Sequence, residues 1–151
     1  MESLIIYDTR YGSTEEIARA IAETLDRAGK AVVKRARETT ADDVQSADCV
    51  VVGSPTHAWD MTPETKGLFE RISWARYHDK AAAAFDTKLV QRSAEGAAGK
   101  IDRALRGAGL RVVAKPQSFF VAGPEGPVAA GEIERARAFG EELARGIGEE
   151  T

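Results

Sequence analysis

The chain has 151 residues, a formal net charge of −3, 43% hydrophobic residues and 30% charged residues, a balance that predicts a soluble globular protein able to bury a substantial core. No apolar run approaches the roughly 20 residues of a membrane-spanning helix, and acids outnumber bases, which leaves no basic surface for nucleic acid. The lone Cys49 excludes an internal disulfide, and Met1-Glu2-Ser3 opens no basic-then-apolar leader; one domain over residues 1–151 and a cytoplasmic location are the expectation.

The elements alternate along the chain. An apolar run predicts a strand over about residues 3 to 9, and the stripe Ile17, Ile21, Leu25 predicts a helix over about 14 to 28. A second strand is expected at 31 to 36 and, after a polar stretch from Glu38 to Asp43, a third at 48 to 52, where Cys49 reads as a small buried hydrophobe. Pro63 suits a first helical turn, and Leu68, Phe69 and Ile72 give the helix over 63 to 76 an inward face, with Trp74 as packing. The segment Lys80 to Phe85 holds four alanines, which propensity assigns to helix. The alternation demands a strand there, bounded by Asp79 and Asp86. A helix over 94 to 106, strand segments at 110 to 114 and 118 to 121, and a last helix over 131 to 145 complete the chain. Five nearly continuous apolar strands separated by helices specify a parallel sheet covered on both faces, a doubly wound α/β domain.

In such a sheet ligands bind at the carboxyl ends of the strands. The loop after the first strand, Thr9-Arg10-Tyr11-Gly12-Ser13-Thr14, turns through a glycine into a helix and carries three hydroxyls. The first amides of a helix have no intrahelical acceptor and sit at the positive end of its dipole, so this turn reads as a phosphate trap. An N-cap at Ser13 and a plain turn at Gly12 are the alternative. The loops after strands three, four and five are Gly53 to Met61, Asp86-Thr87-Lys88-Leu89 and Gly123 to Pro127, all expected on the same edge.

A first loop of the type Thr-x-x-Gly-x-Thr followed by Gly53-Ser54-Pro55-Thr56 after strand three resembles the flavodoxin family, over essentially the whole chain. The resemblance implies a five-stranded, three-layer α/β/α sheet of order 2-1-3-4-5 with FMN as cofactor. It implies phosphate contacts from Thr9, Arg10, Tyr11, Gly12, Ser13 and Thr14. It places Ser54, Pro55, Thr56, His57, Ala58, Trp59 and Asp60 on one face of the flavin ring, and Asp86, Thr87 and Lys88 on the other. Trp59 is the best stacking candidate and His57 the second. The chain departs from the family pattern in three places: Tyr11 replaces a small hydroxyl residue, the loop after strand three has no glycine beyond Gly53, and the fourth loop has no aromatic residue. The resemblance implies an electron carrier between a reductase and an acceptor protein. The alternatives are a small FMN-dependent oxidoreductase acting on a quinone or protoporphyrinogen-like aromatic substrate, and a flavodoxin-like module that has lost FMN.

Overall fold

The computed structural model describes residues 1–56, 60–90 and 96–149. Six parallel strands form the sheet: β1 (Glu2–Tyr7), β2 (Lys30–Arg35), β3 (Cys49–Pro55), β4 (Ala81–Leu89), β5 (Arg111–Val112) and β6 (Gln117–Val121). The order is β2-β1-β3-β4-β5, with β6 also paired to β4. Among the described residues five helices flank them: α1 (Ser13–Asp26), α2 (Ala41–Ser46), α3 (Pro63–Arg71), α4 (Ala97–Gly107) and α5 (Glu132–Glu149). None is long and apolar enough to cross a membrane.

The period of two along each strand divides the core. Leu4, Ile6, Val50, Val52, Ala82 and Ala84 face one side, where Val44, Leu68, Ile101 and Leu105 of α2, α3 and α4 cover them. Ile5, Val51, Ala83 and Phe85 face the other, against Ile17, Ile21 and Leu25 of α1 and Phe139 and Leu143 of α5. The alanines of β4 are fully buried, as the alternation of elements requires despite their helix propensity. Trp74 packs as expected, its indole N–H donating to the Leu68 carbonyl at 3.1 Å. Cys49 has no exposed surface, and burial pushes its thiol up to about 12, so it is not a nucleophile.

Several boundaries differ from those read in the sequence. The polar stretch before β3 contains α2, held by a reciprocal capping box in which Thr40 accepts from the Asp43 amide and Asp43 accepts from the Thr40 amide. The helix expected over 63 to 76 stops at Arg71 and is followed by a 3₁₀ turn, Trp74–Tyr77, which turns Trp74 and Tyr77 into the core. The last strand is split: β5 pairs with Ala81 and Ala82, and β6 with residues from Phe85 to Leu89. Pro116, which has no amide to donate to a ladder, lies in the gap. The largest difference is at the end of β4, where Asp86, Thr87, Lys88 and Leu89 were expected as a loop and instead continue the strand, all paired to β6 and the first two also to β3.

Asp86 is strand rather than turn because its carboxylate serves the helix that follows. It is fully buried, and its Oδ2 accepts from the Ala98 amide at 2.9 Å, while Thr56 Oγ1 accepts from the neighbouring Ala97 amide at 3.1 Å. The start of α4 is thus capped from the ends of β4 and β3. Burial raises the Asp86 pKa, and the Ala98 amide and the nearby Ser118 hydroxyl oppose the rise only in part. Among the described residues its Oδ1 has no hydrogen-bond partner. A carboxyl whose folded pKa is raised contributes stability that is complete below its unfolded pKa of about 3.9 and is lost as pH rises through the folded value. Asp86→Asn keeps the acceptor for Ala98 and removes the charge. We expect its urea midpoint to exceed that of the wild type at pH 8 and the advantage to vanish toward pH 4. A variant less stable than wild type at pH 8 would show that the charge on the α4 terminus outweighs its burial.

Candidate functional site

A cavity of about 350 Å³ opens at the carboxyl edge of the sheet, lined by Thr9, Arg10, Tyr11, Ser13, Thr14, Pro55, Thr56, Thr87, Lys88, Leu89, Val121 and Pro124. That is within the size range of small-molecule sites. It gathers the ends of β1, β3, β4 and β6, so the edge expected from the strand alternation holds a cavity walled by four strand ends.

Its floor is the start of α1. Gly12 is the residue before the helix and has φ 99°, in the left-handed region where side chains are strained. No side chain caps the helix. The Glu16 amide already returns to the Gly12 carbonyl at 3.0 Å, which leaves the amides at the first positions of α1 for a ligand. Thr9 Oγ1 closes the turn from the other side by accepting from the Gly12 amide at 2.8 Å. Thr14 and Thr87 share a buried hydroxyl contact of 2.8 Å. Two hydroxyls have two protons between them and need one for that contact, so the other is left to donate elsewhere. The charged side chains among the lining residues are Arg10 and Lys88, both cationic. A glycine turn, an uncapped helix start, hydroxyls and cations together have the chemistry that suits an anion such as a phosphate.

The other residues expected at the site are distributed unevenly. Pro55 and Thr56 line the cavity beside Thr87 and Lys88, and the Thr56 amide donates to the Thr87 carbonyl at 2.9 Å. Ser54 is buried, accepting from the Thr62 amide at 3.1 Å, and does not line it. Asp86 also faces away, toward α4, because adjacent residues of β4 point to opposite sides of the sheet and Thr87 takes the cavity side. Asp60 is held by Lys66 at 2.7 Å and the Met61 amide at 2.8 Å, and the hydrogen bond from Lys66 leads the lowering of its pKa. His57, Ala58 and Trp59 lie outside the described residues. Tyr11 stands at the rim, 61% exposed.

Sequence reading placed Leu89 and Pro124 in loops at this edge without assigning them to the site, and it overlooked Val121 and the polar contacts beneath the loop at Asp8, Arg35 and Thr62. A signal for the latter existed: Asp8 follows the first strand and Arg35 ends the second, and parallel neighbours bring opposite charges at strand ends together.

Fold and cavity define a doubly wound α/β protein with an anion-receptive turn at the carboxyl edge of its sheet. The chain belongs to the flavodoxin family: the family model described as a flavodoxin domain matches residues 4–125. It is 36% identical over 89 residues to a flavodoxin of Aquifex aeolicus (strain VF5), covering 56% of this chain and 48% of that one. It is 29% identical over 117 residues to an NAD(P)H dehydrogenase (quinone) of Caulobacter vibrioides (strain NA1000 / CB15N), covering 61% of this chain and 59% of that one. It therefore spans from about half to three-fifths of the length of these two relatives. A solved flavodoxin from the domain Archaea shares the fold, with a TM-score of 0.85 over 98% of this chain and 99% of that one at 18% identity. Proteins of this family bind a flavin, typically FMN.

Proposed function

We propose that this chain binds FMN with its phosphate on the start of α1 and carries electrons between a reductase and an acceptor protein. The observation that carries the reading is the uncapped helix start behind Gly12, walled by Thr9, Ser13 and Thr14 and opening into a cavity of ligand size. The residues present fit the group: amides, hydroxyls and the Arg10 guanidinium for the phosphate, and Pro55, Thr56, Thr87, Lys88 and Leu89 for the remainder. FMN when bound supplies the redox chemistry, and the protein supplies orientation and electrostatics. Lys88, half-buried on the wall of the cavity, favours negative charge on whatever occupies it.

That cationic lining, together with the likeness to an NAD(P)H dehydrogenase (quinone), supports a second reading in which the protein turns over a quinone-like aromatic substrate itself. The two are separated by turnover of the FMN-loaded protein with NAD(P)H and a soluble quinone. Steady oxidation of NAD(P)H supports the enzyme. Its absence, with electrons accepted from a flavodoxin reductase, supports the carrier.

A further inference from the structure

A chain of polar contacts runs beneath the cavity and joins the turn at the start of α1 to the N-cap of α3. Asp8, 3% exposed, follows β1; Arg35 ends β2 in register with Tyr7, one residue away. The Asp8 carboxylate faces the Arg35 guanidinium at 3.6 Å and accepts from the Thr62 hydroxyl at 2.5 Å. Arg35 Nη2 donates to the Thr9 carbonyl at 2.8 Å, the residue whose hydroxyl closes the Gly12 turn. On the other side Thr62 is the N-cap of α3: its hydroxyl contacts that of Thr65 at 2.9 Å, and its amide donates to Ser54 Oγ at 3.1 Å. The carboxylate thus ties the residue at the entry to α3 to Arg35, which in turn holds the loop at the start of α1. A buried charge is retained only where its geometry is satisfied, and this one meets groups from two separate segments, Arg35 of β2 and Thr62 before α3.

We propose that Asp8 and Arg35 are positioning residues that lock the turn at the start of α1 to the N-cap of α3, so that the cavity's turn and the start of α3 are set together. The proposal rests on the reading of that turn as the phosphate site. The direct test needs no flavin. Arg35→Met keeps the apolar stem and removes the guanidinium; Asp8→Asn keeps an acceptor for Thr62 and removes the partner charge. Hydrogen exchange of the full chain is expected to quicken about tenfold, the loss of one hydrogen bond to a charged group, in amides of residues 9–14 and also in those of 60–66. Arg35→Lys is expected to restore part of the protection. Quickening confined to residues 9–14 would overturn the coupling, as would unchanged exchange in both segments.

A second measurement bears on the site itself. Arg35→Met is expected to lower FMN affinity about tenfold with riboflavin affinity unchanged, and an equal loss for both ligands would reduce Arg35 to a general structural role. If the wild-type protein binds no FMN, the proposed function fails, while the exchange experiment still decides whether the two segments are coupled.

Discussion

Gly12→Val is expected to weaken FMN binding about ten- to thirtyfold while leaving the fold intact. A Cβ at this position meets no atom within 4 Å, so the substitution creates no clash inside the protein. The cost lies in the backbone: Gly12 has φ 99°, and a side chain there costs about 1–2 kcal/mol, which a β-branched residue bears least well. The turn relieves that strain by leaving the left-handed region, which turns the first amides of α1 away from the cavity and breaks the bond between the Gly12 amide and Thr9 Oγ1. Titration of the variant with FMN, followed by flavin fluorescence, reads the loss. Unchanged affinity would remove the phosphate from this loop.

Gly53→Ala is expected to strike stability rather than binding. An added Cβ would stand 2.0 Å from Phe85 Cζ and within 2.3 Å of both neighbouring ring carbons. Phe85 cannot swing away: it is fully buried and packs edge-on against Phe119, ring centroids 6.1 Å apart, with Phe139 behind at 6.0 Å from Phe119. Overpacking a core of this density costs about 3 kcal/mol, which corresponds to a fall in Tm of roughly 6–12 °C for a chain of this size. Thermal unfolding measures it. Phe85→Leu in the same chain is expected to return part of the loss, because the two substitutions share one space. Additive losses would show that Gly53 is required for its backbone and not for the ring above it.

The fold was legible where periodicity and alternation agree. Residues 80–85 are the clearest case: alanines name a helix, but the need for a strand between two helical segments overrides them, and β4 is there. Alternation does not say where a strand ends. Asp86 has the composition of a turn, yet it extends β4 because its carboxylate caps a helix start 12 residues later, a contact that sequence spacing cannot display. The helix α2 was missed although its capping box is written in Thr40 and Asp43, because six residues are too few to show an apolar stripe. At the site, the turn from Thr9 to Thr14 could be read because helix-start chemistry is local. Asp8 and Arg35 leave a trace in the opposite charges at the ends of neighbouring strands, but Thr62 leaves none, since it meets Asp8 only when α3 is brought beside β1.

The central claim is that a phosphate rests on the start of α1, and the comparison of FMN with riboflavin tests it most directly, because the two ligands differ by that phosphate. Titrating the flavin-free chain of residues 1–151 with each, we expect both to be taken up and FMN to bind at least about tenfold more tightly, the contribution of hydrogen bonds to a charged group. Equal affinities for FMN and riboflavin, or no binding of either, would contradict it.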